Sequence, residues 1–169
     1  MNGIMYLIEG PVGAGKSTYA AQLAAERGGV HLNLDEWMVT LFAADRPEEN
    51  FMGWYAECKR RLLAQIWRVA SSIVAAGHTV VLELGLVDAA SREAFYARVD
   101  DGNHVLRVTV LDADVDVRRA RVIGRNETQG ATFRMHVPPE IFELANAAWQ
   151  PPSVAERQER NIEIVRTDV

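Results

Sequence analysis

The chain has 169 residues, enough for one domain, and its 49% hydrophobic and 24% charged content is that of an ordinary globular protein. No apolar run approaches the 18 or so residues of a membrane span, no signal-peptide pattern precedes the first strand, and a lone cysteine, Cys58, excludes an internal disulfide or a cysteine-rich zinc site. The expected location is cytoplasmic, and a formal net charge of −5 favours a small-molecule substrate over long nucleic acid, which is bound through basic surfaces.

In chain order, residues 4–9 (IMYLIE) form a short apolar run bounded by glycines, the pattern of a buried strand. A glycine-rich stretch follows. Ala20, Leu23, Ala24 and Arg27 then recur at helical spacing, so a helix is predicted from about Lys16 to the Gly28-Gly29 pair. Residues 30–34 (VHLNL) read as a second strand, with Asp35 at its end, where a helix can start. Phe51, Tyr55, Cys58, Leu62, Ile66, Val69 and Ile73 step by three and four, while Lys59, Arg60, Arg61, Gln65 and Arg68 take the opposite face; this is a long amphipathic helix, ended by Gly77. Strands are predicted over 78–85, 104–112 and 161–168, and helices over 90–99 (capped by Asp88 or Ser91), 114–126 and 138–149. Trp149 and the QPPSVAE run after it, with Glu156, read as a rigid turn used for packing.

Strands alternating with helices imply a parallel sheet covered on both faces, with ligands at the carboxyl ends of the strands. The strongest motif lies there. Gly10–Ser17 (GPVGAGKS) matches G-x-x-x-x-G-K-[ST] in full, between a strand and a helix; a chance match in a chain this long has odds of about half a percent. Gly13 and Gly15 free the backbone to wrap a polyphosphate, and Lys16 reaches the terminal phosphates. Ser17 offers a hydroxyl to Mg²⁺. The expected phosphate cradle is Gly10, Val12, Gly13, Ala14, Gly15, Lys16, Ser17 and Thr18. The chain has no N-K-x-D element of the kind that reads a guanine base.

Asp35, in NLDEW, can take a proton from a substrate hydroxyl and aim the oxygen at phosphate, or it can cap the next helix; Glu36 is the neighbouring candidate. Glu83 interrupts an apolar strand, and a hydrated Mg²⁺ beside Ser17 is a reasonable partner for it; the alternative is a strand-end residue facing solvent. Arg118, Arg121 and Arg125 share one helical face. Arg118 is assigned to the nucleotide, and Arg121 and Arg125 to the charge that develops on a transferred phosphoryl group. The NETQGATFRMH stretch after them suits a lid, placed at about 118–137. The four histidines show no metal spacing.

Taken in order, GPVGAGKST, NLDEW, VVLELG with SRE, VLDADVDVRRARVIGRN, and VPPEIFE with WQPPSVAE resemble the small P-loop kinases of the AAA_33 type. That group is similar to the kinase domain of phage polynucleotide kinase and more distantly to zeta toxins and chloramphenicol phosphotransferase. The resemblance spans Ile4 to about Val165. It implies one α/β P-loop domain: a three-layer sandwich with a five-stranded parallel sheet, helices on both faces and a helical lid. It also implies ATP and Mg²⁺ dependence, Lys16 and Ser17 on phosphate and metal, Asp35 as general base, and Arg121 and Arg125 as lid arginines. Glu83 stands where many relatives carry a strand-end aspartate. Polynucleotide kinases carry an arginine three residues beyond the base where this chain has Met38, which counts against a nucleic-acid end as acceptor. The expected partners are a nucleoside triphosphate and a small hydroxylated acceptor of nucleoside, sugar or antibiotic type. The alternatives are a nucleic-acid 5′-hydroxyl kinase, a zeta-like nucleotide-sugar kinase, or a nucleotide-binding switch without transfer chemistry.

Overall fold

The computed structural model describes residues 3–130 and 133–169. The elements run β1 (Ile4–Glu9), α1 (Lys16–Arg27), β2 (Val30–Asn33), α2 (Leu34–Phe42), a 3₁₀ turn (Ala43–Asp45), α3 (Phe51–Ala75), β3 (Val80–Glu83), α4 (Ala89–Asp101), β4 (Val105–Asp112), α5 (Val115–Thr128), α6 (Pro139–Ala148), α7 (Val154–Arg160) and β5 (Glu163–Arg166). The five strands form one all-parallel sheet in the order β2-β3-β1-β4-β5.

The period-two alternation of β1 sorts its side chains onto the two faces. Met5 and Leu7 join a core with Leu82, Leu84 and the buried stripe of α3, whereas Tyr6 and Ile8 join Val81, Leu111 and Ala20, Leu23 and Ala24 of α1. The stripe on α3 is Cys58, Leu62, Ile66, Ala70 and Val74, four residues apart throughout. Each large aliphatic side chain buried there contributes about 1.5–3 kcal/mol. Cys58 is core, as its face implied.

From β1 the chain moves to one edge, returns through β3, and crosses to the other side for β4 and β5. The carboxyl ends of β1 and β3 therefore border the crevice where such sheets hold ligands. Two local points differ from the sequence reading. The helix after β2 is capped by Asn33, whose side chain accepts from the Glu36 N–H at 3.0 Å, so Asp35 lies in the first turn and is free of capping. The run after Trp149 contains a short helix, α7, capped by Ser153, where only a turn was expected. Asp88 caps α4, accepting from Ser91 N–H at 2.8 Å. Ala131 and Thr132, within the expected lid, lie outside the described residues.

Candidate active site

β1 ends at Glu9 and α1 begins at Lys16, so the intervening loop lies at the carboxyl edge of the central strand. Gly13 (φ 78°) and Gly15 (φ 94°) both occupy conformations that side chains rarely adopt, and a Cβ on Gly13 would lie 2.6 Å from the Arg118 carbonyl. The loop is tied from behind. Arg118, buried among the α5–α6 side chains, donates to the carbonyls of Ala113 (2.9 Å) and Val12 (3.1 Å) and to Asn146 Oδ1 (2.8 Å). The Thr167 hydroxyl donates to the Ala14 carbonyl at 3.0 Å, and Arg121 holds Thr167 through Oγ1 (2.9 Å) and its carbonyl (2.6 Å). In a planar trans peptide the next N–H points opposite to the carbonyl. Drawing the Val12 and Ala14 carbonyls backward therefore turns the Gly13 and Gly15 N–H groups toward the inside of the loop. Lys16 folds over the same loop, donating to the Gly10 and Pro11 carbonyls at 2.8 and 2.9 Å.

Beside the loop lies Glu83, at the end of β3. Oε1 accepts from the Ser17 hydroxyl at 2.8 Å; Oε2 accepts from Asn33 Nδ2 at 2.6 Å and faces His31 Nε2 at 3.2 Å. The β2–β3 register places Asn33 directly opposite Glu83. Burial pushes the Glu83 carboxyl up, but His31, Lys16 and Ser17 together outweigh it and hold the group below the usual carboxylate range. An ionised carboxylate in contact with a serine hydroxyl is a hard oxygen pair of the kind that holds Mg²⁺, directly or through its waters, alongside phosphate oxygens. Among the described residues no cluster of three or more acidic, histidine or cysteine side chains could hold a metal ion.

Asp35 lies in the first turn of α2. It is exposed by area, yet dense on its protein side, so burial and then repulsion from Glu83 raise its pKa, against the pull of Lys16, Lys59 and Arg125. Water on its exposed side limits the size of that shift and leaves its direction. Lys16 is only half-buried, and its pKa is lowered by burial against attraction from Glu83, Glu9 and Asp35. Arg125 carries a buried Nε without a hydrogen-bond partner and lies in the field of Asp35 and Glu83. The expected pair of arginines is therefore split: Arg125 lies in the field of Asp35 and Glu83, whereas the Arg121 guanidinium is engaged with Thr167 behind the loop.

The AAA_33 family model, described as an AAA domain, matches residues 5–152. The chain belongs to the AAA_33 family. No curated protein matches the sequence. Among solved structures, a gluconokinase from Sinorhizobium meliloti 1021 superposes with a TM-score of 0.62 at 18% identity, covering 98% of this chain and 82% of its own. The APS kinase of Mycobacterium tuberculosis, in complex with AMPPNP and APS, gives 0.63 at 19%, covering 99% and 90%. Kti12 of Chaetomium thermophilum, in complex with ADP-AlF3, gives 0.71 at 14%, covering 97% and 89%. At these identities the likeness establishes the fold, that of P-loop kinases.

In this AAA_33 protein several residues around the site escaped the sequence reading. Glu9 is wholly buried under the loop, its pKa pushed up by desolvation to about 8, with Oε1 lacking a hydrogen-bond partner. Its signal was the one used for Glu83, a carboxylate ending an apolar strand. Asn33 and His31 gave none, because their role depends on strand register. Arg92, fully buried, grips Glu156 with two bonds (2.6 and 3.0 Å) and the Gln150 carbonyl at 2.9 Å, which pins the Trp149–Glu156 turn to α4 as packing. Two hollows lie away from the loop: an apolar crevice of about 110 Å³ between α3 and α4, and an open groove of about 720 Å³ beside Tyr6, Tyr19 and Arg107. No helix among the described residues is long and apolar enough to cross a membrane.

Proposed function

We propose that the protein is a phosphotransferase that moves the γ-phosphate of ATP, with Mg²⁺, to a hydroxyl of a small molecule. The observation that carries this reading is the loop itself: Gly13 and Gly15 at positive φ, Lys16 folded over the loop carbonyls, and Ser17 bonded to Glu83 at 2.8 Å, with Asp35 and Arg125 in the field of Glu83. The kinase structures that the chain resembles support it, the APS kinase with AMPPNP and APS bound in particular.

In this mechanism the Gly13 and Gly15 N–H groups and Lys16 hold the polyphosphate, and Asp35 accepts the proton of the acceptor hydroxyl. The freed oxygen attacks the γ-phosphorus while the bond to the bridging oxygen of ADP breaks. The proton leaves Asp35 to water once product departs. Charge spreads over the equatorial oxygens during transfer, and Arg125 and Lys16 offset it. Burial that makes Asp35 more basic improves it as a proton acceptor. Ser17 and Glu83 would hold the Mg²⁺, whose chemistry there is to neutralise phosphate charge. Arg118 and Arg121 act on the loop from behind rather than on nucleotide. The test is a panel of hydroxylated metabolites, nucleosides and antibiotics scored for acceptor-dependent ADP release. One panel member that releases ADP and gains one phosphate by mass supports the reading; ATP hydrolysis indifferent to every acceptor contradicts it.

A further inference from the structure

Lys59 separates itself from the other cations of α3. Arg60 and Arg61 pair with Glu57 at 2.8 Å and are 68% and 63% exposed, the ordinary solvated face of a helix. Lys59 is half-buried and turns the other way, donating to the Gly85 carbonyl at 2.8 Å, just past the end of β3. That bond uses one of the three donors of an ammonium. Among the described residues no carboxylate stands within ion-pair distance of it, although Asp35, Asp88 and Glu9 all feel its charge. A half-buried ammonium with a single neutral acceptor is incompletely compensated for the water it has lost.

Its surroundings adjoin Asp35, the base of the proposed reaction. Tyr55 lies one turn earlier on the same face of α3 and in the field of Asp35, which together with burial pushes its hydroxyl up to about 12, so it stays a neutral donor. Phe51 stacks at 5.9 Å on Tyr55 and 5.8 Å on Trp54. Lys59 thus stands at Gly85, one turn from the Tyr55 hydroxyl on the same helix and close enough for its charge to act on Asp35. A neutral acceptor would leave the ammonium as it is, whereas an oxyanion would complete it with a charge-assisted bond.

We propose that Lys59 determines acceptor specificity, selecting molecules that carry an oxyanion, either a carboxylate or a phosphate monoester, near the hydroxyl that receives the phosphoryl group. This rests on the kinase reading above. The two sources are told apart with matched acceptors: sugars against their aldonic acids, and nucleosides against their monophosphates. For each pair, kcat and KM are measured for the parent, Lys59→Met and Lys59→Arg, together with thermal shifts by the same compounds in the presence of AMPPNP.

The anionic member of one pair is expected to be preferred by about 10–100-fold in kcat/KM. Lys59→Met should erase that preference through KM with kcat nearly unchanged, and Lys59→Arg should retain most of it. Neutral members preferred equally, or Lys59→Met slowing both members alike, would overturn the proposal and return Lys59 to a purely structural bond with Gly85. The thermal shift reads binding without turnover. Anionic compounds that stabilise the parent and not Lys59→Met uphold the oxyanion site even where no phosphate moves, and in that case the kinase reading alone fails. No anionic compound stabilising the parent overturns the site.

Discussion

Behind the phosphate loop, Arg118 is 7% exposed and makes three hydrogen bonds, and Arg121 adds two more through Thr167. In the stretch between α5 and α6, Arg134 pairs with Glu36 of α2 at 3.1 Å, with side chains 30% and 53% exposed. The contrast teaches which part of the site is held firmly. Buried charged hydrogen bonds hold the loop around Val12 and Ala14 in place, whereas a solvated ion pair such as Arg134–Glu36 contributes only about 0–1 kcal/mol. Asn126 and Val137 exchange two bonds (2.8 and 3.1 Å) that tie the end of α5 to the residues before α6.

The sharpest way to break the cradle is Lys16→Ala, which should abolish measurable transfer and weaken nucleotide affinity by about two orders of magnitude in calorimetry. Arg125→Ala should slow transfer by about 10³-fold while nucleotide affinity changes only a few-fold, because its charge is needed mainly as phosphate moves. A loss confined to affinity would place Arg125 with the cradle instead.

Glu9 gives the cradle a pH signature. Its folded pKa, raised by burial to about 8, exceeds that of the unfolded chain, near 4.5. The native state keeps a proton that the unfolded chain releases, so the stability it contributes is full below about pH 4.5 and is lost as pH rises toward 8. Glu9→Gln should stay within about 1 kcal/mol of the parent at pH 5 and exceed it by roughly 4 kcal/mol at pH 8 in urea titrations. An equal difference at both pH values would contradict the assignment. Arg121→Ala should cost about 1–2 kcal/mol of stability and loosen the loop, with nucleotide affinity falling more than the rate at saturation. Smallest of all, Arg134→Ala should change kcat/KM by less than about tenfold and leave stability within about 1 kcal/mol.

The same contrast marks what the sequence could disclose. The cradle was legible because its geometry is local: a strand, glycines where φ must be positive, a lysine and a serine opening a helix. Asp35 was legible as a carboxylate at a strand end, but its rival role as a cap was resolved only when Asn33 took that position. Arg118, Arg121 and Arg125 share a helical face, and periodicity could not tell that two of them turn to the loop's back and one lies in the field of Asp35 and Glu83, because that depends on where Thr167 and Asn146 arrive from distant sequence. Glu83 was visible as a charge in an apolar strand, while its partners His31 and Asn33 required the register of β2 against β3. Lys59 was read as one more residue on a solvated face, since spacing alone groups it with Arg60 and Arg61.

The central claim is that Asp35 takes the proton from the acceptor. The direct measurement is single-turnover phosphate transfer by Asp35→Ala at saturating nucleotide and acceptor, beside calorimetric nucleotide affinity and the parent's pH profile. The account predicts a rate lower by about 10²–10⁴-fold, affinity within a few-fold, and a parental acid limb above the usual carboxylate range, because the rate is lost as pH falls through a raised Asp35 pKa. Transfer by Asp35→Ala at the parental rate would contradict it.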